Sequence, residues 1–96
     1  MLEGIDSRSR LALAFCSGFE AEAADGPVGV VETPLFPPSG DAPDFLILRT
    51  GGPLRHRRPV VAIALVEDVD PTARVVRFHG SKQEIERLPE HLPLAI

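Results

Sequence analysis

Arg55, His56, Arg57 and Arg58 put three guanidinium groups and an imidazole on four consecutive residues. Guanidinium forks recognise phosphates and carboxylates, so this group is a candidate partner-binding site for nucleic acid or for an acidic protein surface. The surrounding charge favours the second. The 96-residue chain carries a net −4, which opposes non-specific attraction to nucleic acid. Residues 19–48 hold six acids and no base, and residues 49–58 hold Arg49, Arg55, Arg57 and Arg58 with no acid. The basic stretch therefore has a natural complement in 19–48, inside one copy or across a subunit interface.

Other chemistry is sparse. Cys16, His56, His79 and His91 are the soft metal ligands, and no two stand at the spacings of a zinc site. No metal or cofactor is expected; Cys16 reads as a small buried hydrophobe and the imidazoles as surface groups. A Cys–His nucleophilic pair lacks a strand–elbow–helix setting around Cys16. Glu67, Asp68 and Asp70 precede Pro71, and they read as a solvated corner with Asp70 capping the turn. Gly26 and Gly29 are not followed by the Lys-Ser/Thr of a phosphate loop. No catalytic residue is assigned, and the expectation is a protein that is not an enzyme.

The elements that position these residues are short. Phe19, Ala21 and Ala23 alternate with Glu20 and Glu22, the period of a half-buried strand. Asp25-Gly26 then turns a hairpin into a return strand, Val28 to Phe36. Pro34 cannot donate a ladder bond, so that strand ends, bulges or lies on an edge there. Gly29 inside it marks a bulge or a close backbone approach. Residues 45–49, FLILR, are apolar on both faces and predict a central strand. Gly51 and Gly52 open the next turn, which places the basic group on a loop before a strand near Val60. Leu65 to Asp68 predicts a bend or a single helical turn, and Arg74 to His79 alternates again. Ser81-Lys82-Gln83-Glu84 is a capping box opening a short helix that Pro89 stops. The tail after it is apolar enough to dock on the body.

One domain fits this length, with residues 1–18 as an N-terminal arm or extra strand and 19–96 as the body. The predicted fold is mainly β: a small antiparallel barrel or sandwich of five or six strands with one short C-terminal helix. The single cysteine gives no internal disulfide, so nothing points to an oxidising compartment. No apolar run approaches the roughly 20 residues of a membrane helix. The apolar stretch 11–16 is short for a signal peptide and has Glu3 and Asp6 before it. A cytoplasmic protein without membrane contact is expected.

The strings ADGPVGVVETPLF, PDFLILRTGG, RRPVVAIALVEDVD and RVVRFHGSKQEIERLP, in that order, resemble the PRC-barrel family. The resemblance covers residues 19–90 and rests on glycines and alternating apolar residues. It departs at Ala62, where relatives carry a proline-led, more polar bend. It implies a small β-barrel, often dimeric, that serves as a binding or assembly module. Relatives form the cytoplasmic domain of a photosynthetic reaction-centre subunit and the second domain of a ribosome-maturation factor. Fold does not fix function. The expectation is a non-enzymatic adaptor that binds protein and forms a homodimer, with Phe, Leu and Arg anchoring its interface. The alternative is an RNA- or ribosome-associated module working through Arg55–Arg58. Nucleic acid is disfavoured, because single-strand binders need exposed aromatic platforms and the five Phe fall mostly at expected core positions.

Overall fold

A computed structural model describes residues 12–38, 40, 42–51 and 56–90. Six strands make one sheet: β1 (Glu20–Ala23), β2 (Gly26–Leu35), β3 (Phe45–Thr50), β4 (Val60–Ala62), β5 (Val66–Asp70) and β6 (Val75–Phe78). A 3-10 turn, Ile63–Leu65, joins β4 to β5, and one helix, α1 (Lys82–Glu86), follows β6. The chain is therefore mainly β, as its patterning predicts.

The spatial order is β4-β3-β2-β1-β6-β5, and every pair is antiparallel except β1 and β6, which run parallel. This corrects the expectation of a purely antiparallel sheet. Side chains alternate with the same period of two in parallel and antiparallel strands, so the pattern carries no information about direction. Nor do the ladders close: β4 and β5 are the two edges, and no ladder joins them among the described residues. Yet β4 and β5 are only three residues apart in sequence. Four extended residue steps span at most about 14 Å, so the sheet curls far enough to bring the end of β4 within that distance of the start of β5.

The concave side of this curl holds the core. Phe19, Ala21 and Ala23 from β1 and its approach, Leu46 and Leu48 from β3, Val61 from β4, Val69 from β5 and Val76 and Phe78 from β6 are all buried there. Leu13, Cys16 and Ile85 of α1 belong to the same cluster. Residues 12 and 13 are helical and 14 and 15 form a turn, so the described part of the N-terminal segment is not the extra strand. Its residues 1–11 lie outside the described part. Leu46, Ile47 and Leu48 are buried in succession, so the middle of β3 is covered on both faces as expected, whereas Phe45 and Arg49 are exposed on the outward one.

Two bulges shape β2, one between its pairings to Ala21 and Glu22 and one at Glu32. Pro34 sits beyond Val30, the last β2 residue in register with β1, where its missing N–H deprives no neighbour on that side. The bend expected at 65–68 lies earlier, at 63–65, and Glu67 and Asp68 belong to β5. Asp70 caps the following turn as expected, its Oδ1 accepting from the N–H of Thr72 and Ala73 at 3.0 Å each.

Candidate functional site

Arg57 and Arg58 stand just before β4 along β3. Thr50 and Arg57 exchange both backbone bonds, and Leu48 N–H donates to the Pro59 carbonyl. This register places Arg58 opposite Arg49, on the outward face of the sheet. From there the Arg58 fork reaches Glu32 on β2, Nε to Oε1 at 2.9 Å and Nη2 to Oε2 at 3.1 Å. Glu32 is the bulged residue of β2. The bidentate bridge thus spans from one flank of β3 to the other, at the level of Ile47, which is 1% exposed although it lies outside the core cluster.

Arg57 pairs with Glu90, Nη2 to Oε2 at 3.3 Å, and the Arg58 N–H donates to Glu90 Oε1 at 3.1 Å. Glu90 is held by an antiparallel bridge to Pro59, and Val60 N–H donates to the Pro89 carbonyl at 2.8 Å. The start of the C-terminal tail therefore lies along the outer edge of β4. Two of the four expected partner-binding residues face acids of their own chain, one of them in the 19–48 segment. His56 is exposed; Arg55 and Gly52 lie outside the described residues, as does His91.

The outward face divides into two unlike halves. On β1, β6 and β5, Arg77 is flanked by Glu22 and Asp68, with Nε–Oε1 at 3.4 Å and Nη1–Oδ2 at 2.8 Å. Those three residues are cross-strand partners in the ladder, so this half is a row of solvated ion pairs. On β2, β3 and β4 the outward rows are Leu35, Phe45 and Ala62, then Thr33, Ile47 and Val60. That half is apolar at its Leu35–Phe45–Ala62 end; toward Thr50 it carries Arg49 and the Arg58–Glu32 bridge, and Ile47 between them is already buried. Phe45 is 43% exposed and Phe36, beside it at the end of β2, is 45% exposed. Phe15 is exposed too, while Phe19 and Phe78 are buried. The expectation that the five Phe lie mostly in the core is thus corrected for three of them: alternation puts Phe45 on the outer face of β3, while Phe36 follows β2 and Phe15 lies in a turn ahead of β1.

The turn residues act as anchors. Ala23 pairs with Gly26, so the β1–β2 loop is Ala24-Asp25, one residue earlier than the expected Asp25-Gly26 centre. Gly26 has φ +136, open to glycine alone, and Gly51 has φ +86. Asp25 Oδ1 accepts from the Lys82 N–H at 2.8 Å, and Ala24 N–H donates to the Gly80 carbonyl. The first hairpin thereby holds the N-terminus of α1 fifty-seven residues away. Nothing in the local sequence signals that contact. Gly29 faces Thr50 so closely that a Cβ there would overlap the Arg49 carbonyl.

The remaining reactive groups are dispersed. Cys16 is fully buried, its thiol donating to the Leu13 carbonyl, and burial pushes it up to about 11. At neutral pH it is a thiol, not a nucleophilic thiolate. His79 lines an open pocket of about 360 Å³ with Leu65, Gly80, Glu84, Ile85 and Leu88. Glu84 is already committed to the capping box, which forms as the sequence predicts: Ser81 N–H donates to Oε1 at 2.8 Å and Glu84 N–H to Ser81 Oγ at 3.1 Å. Among the described residues no three His, Cys, Asp or Glu side chains gather as a metal site, and no helix is long and apolar enough to cross a membrane. Compared with known proteins, the chain matches no family model and no curated protein.

Proposed function

We propose that the chain is a non-enzymatic, PRC-barrel-like assembly module that self-associates as a homodimer and binds protein. The observation that carries this reading is the exposed apolar end of the outward face, where Phe45 lies between Leu35 and Ala62, a row that a solitary sheet would be expected to make polar. The curl imposed by the short β4–β5 link supports the barrel-like description, and the lone buried thiol suits a reducing cytoplasm.

Protein is favoured over RNA by two arrangements. Arg57 and Arg58 are engaged by Glu90 and Glu32, so a phosphate would have to displace a carboxylate to reach either. The exposed Phe45 stands at the far end of β3 from Thr50 and Arg57, roughly 17 Å away at strand rise, so base stacking and phosphate contacts would not interleave. Light scattering or native mass spectrometry at tens of micromolar tests the assembly; a strict monomer removes the homodimer. Titration with structured and single-stranded RNA at low and high salt tests the rival. Flat curves at low salt are expected, whereas tight, steeply salt-dependent binding would replace this reading with the RNA one.

A further inference from the structure

We infer that the apolar outward face of β2, β3 and β4 is the surface through which a second copy of this chain docks, with β3 lying antiparallel over its symmetry mate. This rests on the self-association proposed above and specifies where it occurs.

The case begins with β3 itself. Its outward side chains are Phe45, Ile47 and Arg49, and Asp44 immediately precedes it. An acid thus stands at one end of the strand and a base at the other, with Phe45 exposed between them and Ile47 already buried. Acid and base are both exposed, and neither has an ion-pair partner among the described residues. A two-fold interface requires each patch to complement itself. Turning one copy about an axis through Ile47 lays Phe45 over the partner's Arg49, and brings Asp44 near that same guanidinium, twice. Cation–π and ion-pair contacts are both satisfied by the same rotation.

The flanking strands extend the patch. Leu35 and Ala62 sit beside Phe45, and the Arg58–Glu32 bridge lies over the middle of β3 with its charges already neutralised. Buried together, a fork-paired Arg and Glu avoid the cost of an unpaired charge. The other half of the outward face, with Glu22, Arg77 and Asp68, offers no such surface. The Pro59–Glu90 bridge is antiparallel, so at Glu90 the chain is directed toward Arg57 and away from Ala62 and Phe45.

Sedimentation equilibrium on the full chain, wild type and variants, tests the assignment. Phe45→Glu is expected to raise the dimer dissociation constant at least about tenfold, whereas Phe15→Glu, at a more exposed Phe elsewhere, leaves it unchanged. Circular dichroism on each variant confirms folding. Asp44→Arg and Arg49→Asp should each weaken the dimer, and the double exchange should restore it, a signature that a merely structural role would not give. A wild-type dimer indifferent to Phe45→Glu and to both charge exchanges would overturn this face while leaving self-association standing. A wild-type monomer would overturn both.

Discussion

Gly29 is where the fold is most exposed to a single added carbon. It pairs with Thr50 on β3 and Ala21 on β1 in the middle of the sheet. A Cβ there would sit 3.1 Å from the Arg49 carbonyl carbon and from Thr50 Cα, and closer still to the Arg49 oxygen. Non-bonded carbons want roughly 3.5–4.0 Å, so β2 and β3 must part by on the order of 1 Å. Adding that to an N–H···O bond of about 2.9 Å takes it beyond hydrogen-bonding range. Two lost ladder bonds cost about 1–3 kcal/mol and the overpacking a similar amount. Against this, replacing glycine recovers about 0.5–1 kcal/mol of chain entropy, and the whole strand-propensity scale spans only about 1 kcal/mol. The clash wins. Gly29→Ala should lose about 2–4 kcal/mol and Gly29→Val at least as much, lowering the Tm by about 10–25 °C. Urea melts followed by circular dichroism measure this, with the midpoint falling and the slope unchanged. If Gly29→Val melts at or above the wild-type temperature, β2 and β3 do not approach this closely and the glycine has no part in shaping the sheet.

Gly26→Ala should cost about 1 kcal/mol or more from backbone strain alone, because φ is +136 while the nearest heavy atom to a new Cβ, Lys82 Nζ, is 3.8 Å away; an unchanged urea midpoint would contradict that. Asp25→Ala removes the acceptor at the start of α1 and should cost about 1 kcal/mol, with Asp25→Asn recovering most of it, read by the same melts. Burial holds the Cys16 thiol protonated in the fold up to about 11, while an unfolded chain ionises near 9.0. Stability is therefore unaffected by this thiol below about pH 9 and falls as pH rises toward 11, by up to about 3 kcal/mol, and Cys16→Ala should lack this alkaline component. At neutral pH the thiol should react with a disulfide reagent only at the rate of unfolding; immediate labelling in native buffer would contradict its burial.

What the sequence determined by itself was local. The alternation of 19–23 made β1, the Ser81/Glu84 spacing made the cap of α1, and Asp70 before Pro71 made its turn, because each depends on groups within a few residues of one another. Gly29 was legible as a close approach, though not against which backbone. The strand at 45–49 was recognisable as covered on both faces, which holds for 46–48 but not for the exposed Phe45 and Arg49, and the Arg58–Glu32 bridge over its outer side was not legible. Tertiary structure alone decided that β1 and β6 run parallel, that Asp25 holds the start of a distant helix, and that Phe15, Phe36 and Phe45 face outward. The reason is one of range. Period and turn chemistry state which residues share a face, but only the order and curl of six strands choose which face is wet and which acid meets each arginine.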